Sequence, residues 1–269
     1  MTHRPFSVEI PHNIEGLPQD EEYCILVQNG MKRRLRLHDY HKIYQIPGLY
    51  EYLFYDLLKC NSPEVVVSSL FKQVEASDSD QIINDLIVLE LGAGNGIVGE
   101  ALTNKGINSI VGIDIIEEAA QATERDRGNV YEDYFVEDLC ALSELTEEKL
   151  RTTDFNCLVS VAALGFGDIP PVAFANAFNY VADDGWVAFN IKTQFYDSDE
   201  SGEFGQFLRT IERDGLLDIQ TIDKYHHRLA LDGRPLDYFA VVGNKRGDIP
   251  QDLVNEYQPA KNTRSGLSA

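Results

Sequence analysis

The chain has no stretch approaching the roughly 20 consecutive apolar residues that a membrane-spanning helix needs. Its beginning, Met1 to Gln19, has no apolar core followed by a small-residue cleavage site. Neither membrane insertion nor export is therefore expected, and a cytoplasmic protein is. Cysteine is scarce: Cys24, Cys60, Cys140 and Cys157 lie far apart with no C-x-x-C pair. That spacing suggests neither a disulfide framework nor a zinc site, and no metal is expected. Cys157, inside an apolar run, is expected to be a reduced core residue. Basic residues are also few, 23 Lys plus Arg against 44 Asp plus Glu, for a formal net charge of −21. Such a surface repels phosphate backbones and anionic lipid head groups at long range, so nucleic acid is not the expected substrate. Lys32, Arg33, Arg34 and Arg36 run against this trend and suit an acidic group, although short charge runs more often serve solubility on a strand or loop.

What remains is the composition of a folded domain: 43% hydrophobic and 25% charged residues in a chain of 269 allow one sizeable core with an elaboration. We expect an N-terminal extension over 1–80 (arm, β-hairpin and helical cover), a ligand-binding core over 81–246 and a flexible tail over 247–269. No internal repeat is visible.

From Thr2 to Glu22 the sequence has no sustained period and is expected to be loop-like unless it packs on the body, with little chemistry of its own. Two β-prone runs, Tyr23 to Val27 and Met31 to Leu37, flank Asn29-Gly30, a pair that tolerates the positive φ of a hairpin turn. Beyond Asp39 the apolar spacing predicts helix, broken near Pro47-Gly48 and resuming toward Cys60, and a further helix after Ser62-Pro63. Ser77 to Gln81 reads as a linker. From Leu86 onward apolar runs alternate with helical patterns, the signature of βαβ units. Strands are predicted at Ile87–Leu91, Ser109–Asp114, Val130–Phe135, Cys157–Val161 and Trp186–Ile191, with an antiparallel pair at Ile219–His226 and Asp237–Val242. Helices are predicted at Ile97–Lys105, Glu117–Arg127, Val172–Tyr180 and Phe204–Asp214.

The informative segment is Glu90-Leu91-Gly92-Ala93-Gly94-Asn95-Gly96, between the first core strand and its helix. Glycines there let the backbone turn tightly and approach a ligand, and free amides at a helix start favour a negative group. The segment resembles motif I of the class I S-adenosylmethionine-dependent methyltransferases, an acidic residue at the strand end followed by G-x-G-x-G. Supporting pieces follow in that family's order. Asp114 ends the second strand, where a carboxylate can accept from both ribose hydroxyls. Val136-Glu137-Asp138-Leu139 resembles the motif whose acid receives the adenine amino group, with Glu137 as the alternative to Asp138. Ser160-Val161-Ala162 stands where the family meets the methionine moiety. The resemblance covers about three-fifths of the chain, from Leu86 to Val242.

It implies an α/β, doubly wound, mainly parallel seven-stranded sheet with an antiparallel C-terminal strand, plus the N-terminal hairpin and helical cover. It implies S-adenosyl-L-methionine as cofactor, with Glu90, Gly92, Gly94, Gly96, Asp114, Ile115, Asp138, Leu139 and Ser160 as the residues around it. Two other readings stay open. Gly94 to Gly99 is formally G-x-G-x-x-G with Asp114 about 20 residues on, as in a nicotinamide-dinucleotide site, and a binder without catalysis carries the same motifs.

For the acceptor, Tyr40, Tyr44 and Tyr50 belong to a segment, His38 to Glu51, that can fold over the cofactor, where aromatic faces attract a sulfonium. They serve equally well as core aromatics. Asp168, in the loop Gly165-Phe166-Gly167-Asp168-Ile169-Pro170, can orient an acceptor or cap a helix. Tyr44 and Asp168 are the candidate catalytic residues. His226 and His227 are adjacent in a strand and point to opposite faces, which argues against a joint metal site. The sequence lacks the Asn-Pro-Pro-Tyr type of motif of many amino-methylating enzymes; with the acidic charge, this favours a small-molecule acceptor, and a protein acceptor remains open.

Overall fold

A computed structural model describes residues 4–12, 16–77, 83–165, 167–197 and 202–258. Seven strands form one sheet in the order β6-β5-β4-β7-β8-β10-β9. They are β4 (Ile87–Leu91), β5 (Ser109–Asp114), β6 (Asp133–Val136), β7 (Cys157–Ser160), β8 (Trp186–Lys192), β9 (Leu217–Leu229) and β10 (Pro235–Lys245). Pairing is parallel from β6 through β8, and β10 runs antiparallel to both β8 and β9. This is the expected doubly wound sheet. The chain leaves β4 in both directions, through β5 on one side and β7 on the other, so a crevice opens at the carboxyl ends of these strands.

Burial on both faces accounts for the near-continuous apolar runs of the central strands. On one face Leu89, Leu91 and Ile113 pack with Phe174, Phe178 and Phe207 from α7 (Pro171–Asn179) and α9 (Gly202–Arg213). On the other, Val88, Val159 and Ala188 meet Val66, Leu70 and Leu102 of α3 (Ser62–Ala76) and α4 (Ile97–Asn104). The helix α5 (Glu117–Arg127) covers β5 and β6. A helix absent from the sequence-based expectations, α6 (Glu144–Thr152), starts at Ser143, whose Oγ accepts from the Thr146 amide.

The N-terminal extension carries its own small core. A three-stranded sheet, β1 (Phe6–Glu9), β2 (Tyr23–Gln28) and β3 (Met31–Arg36), is antiparallel throughout. The hairpin turns on Asn29 and Gly30 at φ 52° and 76°, the conformation for which that pair was read. β1 was not anticipated: four residues have too little pattern, and only β2 gives them a partner. After the hairpin come α1 (Tyr40–Tyr44), a left-handed break at Gly48 (φ 73°), and α2 (Leu49–Glu51), which continues as a π-helical turn through Leu57.

The arm packs on the body, the condition under which it was expected to be ordered: Glu22 is buried, pairs with buried Arg228 at 2.7 Å and accepts from the Leu231 amide at 2.6 Å. The segment after Lys245 is not aperiodic coil throughout. It forms α10 (Gln251–Glu256), with Ile249 and Val254 buried; residues 259–269 lie outside the described residues. So does most of the linker read at Ser77 to Gln81. The short α8 (Thr193–Asp197) packs between β8 and α9.

Candidate active site

The crevice at the carboxyl edge is a cavity of about 270 Å³. The glycine loop and the ends of β5 and β7 form its floor; α1 and the turn before α7 form its cover. Gly92, Gly94, Asp114, Ile115, Asp138, Leu139, Tyr44 and Asp168 all line it. Glu90, Gly96 and Ser160 do not. Side chains alternate along a strand, and Glu90 shares the face of Val88, turned toward α4 and away from the crevice. There Tyr131 Oη donates to Glu90 Oε2 at 2.9 Å. Burial pushes the Glu90 carboxyl up to about 8, the Tyr131 bond opposing and Asp114 adding to the shift. Ser160 is fully buried and donates to the Leu91 carbonyl at 3.0 Å. Gly96, at φ 81°, precedes α4 and faces Thr123 and Tyr131.

The glycine loop is pinned from both ends of one peptide. Asp114 Oδ2 accepts from the Gly94 amide at 2.9 Å and Oδ1 from the Ile116 amide at 2.9 Å. The Gly94 carbonyl accepts from Tyr134 Oη at 2.7 Å and Thr123 Oγ1 at 2.9 Å. Burial raises the Asp114 pKa above the usual carboxylate value, partly offset by bonds from the Ile116, Gly94 and Ile115 amides. Gly92 and Ala93 donate to the Ile113 carbonyl, and Gly96 to that of Ala93. The Gly92, Ala93, Gly94 and Gly96 amides of the loop are thus spent inside the protein. Glycine is nonetheless required: a Cβ on Gly92 would lie 2.7 Å from Ala163 Cβ, and one on Gly94 2.8 Å from Tyr44 Oη.

The cover is fastened to this floor by contacts the sequence did not reveal. Asn95 and Arg127 both donate to Glu51 Oε1, at 2.9 and 3.0 Å. Arg125 donates to the Tyr44 carbonyl, and Gln45 to Glu118. Tyr44 packs on Ala119 and Ala122 of α5, its ring 5.0 Å from that of Tyr50. Burial, then the neighbouring Tyr50 and Asp114, hold its hydroxyl protonated, well above the ordinary phenol pKa. Tyr40, Tyr44 and Tyr50 all reach the cavity wall.

In the same lining Asp168 Oδ2 stands 3.6 Å from His38 Nδ1. Asp168 does not cap α7, whose start at Pro170 has no side-chain cap. Ala162 stands at φ 57°, a conformation that costs a non-glycine residue energy, and its N–H donates a hydrogen bond to Asn190 Oδ1 at 2.6 Å. Glu137 is engaged by Ser143 and Thr146 at the start of α6, whereas Asp138 Oδ1 accepts from the Cys140 amide at 2.8 Å. His226 and His227 do face opposite ways: His226 is exposed beside Asp237, and His227 is buried and kept neutral, its pKa driven down to about 3 by burial and then by Arg228. Among the described residues no cluster of His, Cys, Asp and Glu could hold a metal ion, and no helix is long and apolar enough to cross a membrane.

Among the described residues four carboxylates, Asp114, Glu137, Asp138 and Asp168, line this cavity, and no Lys or Arg does. The space suits a ligand with hydroxyl donors and positive charge, and its carboxylates repel a diphosphate. An open sheet of this order, a glycine loop tied to the acid after β5 and an acidic crevice under an N-terminal cover together describe a class I methyltransferase. The chain belongs to the methyltransferase domain family, whose model matches residues 62–233, well over half its length. S-adenosylmethionine is its cofactor, and the cavity's residues fit that molecule.

Solved structures of similar fold include a magnesium protoporphyrin IX methyltransferase from Synechocystis with bound S-adenosylmethionine (13% identity, TM-score 0.47, covering 68% of this chain and 79% of that one). A TehB-like S-adenosylmethionine-dependent methyltransferase from Corynebacterium glutamicum is 19% identical (TM-score 0.41, 68% and 98% covered). A ribosomal protein L11 methylase from Lactobacillus delbrueckii is 15% identical (TM-score 0.44, 69% and 79% covered). These likenesses are distant, and the family assignment rests on the domain model. No curated protein matches the sequence.

Proposed function

We propose that this protein catalyses methyl transfer from S-adenosylmethionine to a small-molecule acceptor held between the N-terminal cover and the loop Ala163 to Pro170. The observation that carries the reading is the charge of the cavity, four carboxylates without a lysine or arginine. When bound, the cofactor supplies a methyl group on a positively charged sulfur, ready for displacement. In this reading Asp114 accepts from the ribose hydroxyls, Asp138 from the adenine amino group, and Ile115 and Leu139 flank the base. The faces of Tyr40, Tyr44 and Tyr50 attract the positive sulfur. Asp168, beside His38, orients the acceptor and takes up its proton. Catalysis then comes chiefly from orientation and exclusion of water, which a covered cavity provides.

The test is incubation of a cell extract with enzyme and S-adenosylmethionine labelled in the methyl group, followed by fractionation of the label by size. Label in small molecules is the expected result. Label confined to protein or nucleic acid would overturn the acceptor class, and no enzyme-dependent label would overturn catalysis.

A further inference from the structure

Behind the main cavity lies a second chamber, about 30 Å³, lined by Gln19, Phe54, Cys60, His227, Arg228 and Tyr238. It shares His38, Tyr40, Tyr50, Ala162, Ala163 and Asp168 with the main cavity, so the two adjoin at the wall where the acceptor is proposed to bind. We infer that this chamber is a specificity subsite that takes a neutral hydroxyl or amide N–H of the acceptor against the side chain of Gln19. The inference rests on the methyltransferase reading of the main cavity.

Gln19 is 9% exposed, and its Nε2 donates to Tyr238 Oη at 2.9 Å. Its Oε1 is sealed from solvent and has no hydrogen-bond partner among the described residues. A buried amide oxygen left in this state costs free energy that a donor from outside recovers.

Apart from Asp168, which it shares with the main cavity, the chamber's charges are already spent. Arg228 is neutralised by Glu22 at 2.7 Å with both side chains buried, His227 is neutral, and burial holds the Cys60 thiol protonated. An anion entering here would lose its hydration and meet the Asp168 carboxylate, and a cation would meet the buried Arg228 guanidinium, whereas an uncharged donor loses little. Size sets the third limit. A space of 30 Å³ takes one or two water-sized groups. The chamber therefore reads the tip of a molecule whose body lies against Tyr40 and Tyr50 in the main cavity. Phe54 and the ring pair of His227 and Tyr238, 4.2 Å apart, present ring surfaces to the rest of its wall.

The experiment is a calorimetric or NMR titration of phenol, anisole and benzoate into the full-length protein, with and without saturating S-adenosylhomocysteine. Phenol carries the donor, anisole has the same ring without it, and benzoate adds a charge. Phenol is expected to bind at least about tenfold more tightly than the other two. In Gln19→Met that preference disappears while the affinity for S-adenosylhomocysteine stays the same. Equal affinity for phenol and anisole would mean that Gln19 serves only bound water, and would overturn the inference. So would no phenol binding up to millimolar concentration, or a preference that survives Gln19→Met. The wild-type comparison stands without the variant should the latter fail to fold. Absence of S-adenosylhomocysteine binding would instead sink the cofactor reading, and the titrations without it keep the two failures apart.

Discussion

Tyr131 Oη donates to Glu90 Oε2 at 2.9 Å, while Oε1 of the same buried carboxyl has no partner among the described residues. A carboxylic acid in this position is held in its protonated form: its pKa stands at about 8 in the fold against an ordinary 4.5. Glu90 thus supports the glycine loop from behind, packed toward Tyr131, and does not face the ligand.

The raised pKa fixes the sign of a pH dependence. The folded state binds this proton more tightly than the unfolded state, so the contribution of Glu90 is complete below about pH 4.5 and is lost as pH rises toward about 8. Glu90→Gln keeps an acceptor for Tyr131 and cannot ionise. Thermal melts of the ligand-free protein should show the variant gaining on wild type between pH 5.5 and pH 8, by up to several kcal/mol. Parallel profiles would show that the carboxyl does not titrate there.

Asp114 bridges the Gly94 and Ile116 amides while facing the cavity. Asp114→Ala should weaken S-adenosylhomocysteine binding by about 1–3 kcal/mol in calorimetry, the cost of leaving ligand hydroxyls without an acceptor. An unchanged dissociation constant in a folded variant would remove Asp114 from the binding site.

Gly94 and Tyr44 should be energetically coupled, because the added Cβ of Gly94→Ala would meet the tyrosine hydroxyl at 2.8 Å but its Cζ only at 3.7 Å. The substitution costs about 1–2 kcal/mol for the left-handed backbone, with the clash added to it. Tyr44→Phe should return the clash component, and a double-mutant cycle on chemical denaturation reads the difference. Strict additivity would mean that Tyr44 already stands clear of the loop.

Tyr44→Phe and Asp168→Ala should each lower kcat/KM once an acceptor is known, leaving the cofactor dissociation constant within a few-fold. A group that acts on the acceptor contributes mainly to the transition-state complex. Loss of cofactor affinity equal to the loss of rate would reassign them to cofactor binding.

The buried pair Glu22 and Arg228 joins the arm to the hairpin of β9 and β10. Glu22→Ala leaves a buried guanidinium unpaired and should destabilise the protein by about 3–5 kcal/mol, and Glu22→Leu with Arg228→Met should recover most of that loss. Denaturation curves in which the single and double variants coincide would show the arm detached in solution.

The sequence alone determined the sheet and the position of its ligand crevice. Ile87–Leu91, Ser109–Asp114 and Glu117–Arg127 form where their periodicity puts them, because a strand buried on both faces and a helix with one apolar stripe are local patterns. The Asn29-Gly30 hairpin and the glycine loop were legible for the same reason, since positive φ demands particular residues. Which way a strand-end acid points was not local. Glu90 and Asp114 both end strands, yet only Asp114 reaches the cavity, because the pleat of β4 turns Glu90 toward Tyr131. The Gly92, Ala93, Gly94 and Gly96 amides were likewise taken by Ile113, Ala93 and Asp114, partners that only the strand pairing and loop packing bring near. The arm shows the limit most clearly. Gln19 and Glu22 sit in a stretch without pattern, and their partners Tyr238 and Arg228 lie more than 200 residues away, so only the closed tertiary fold makes a buried chamber of them.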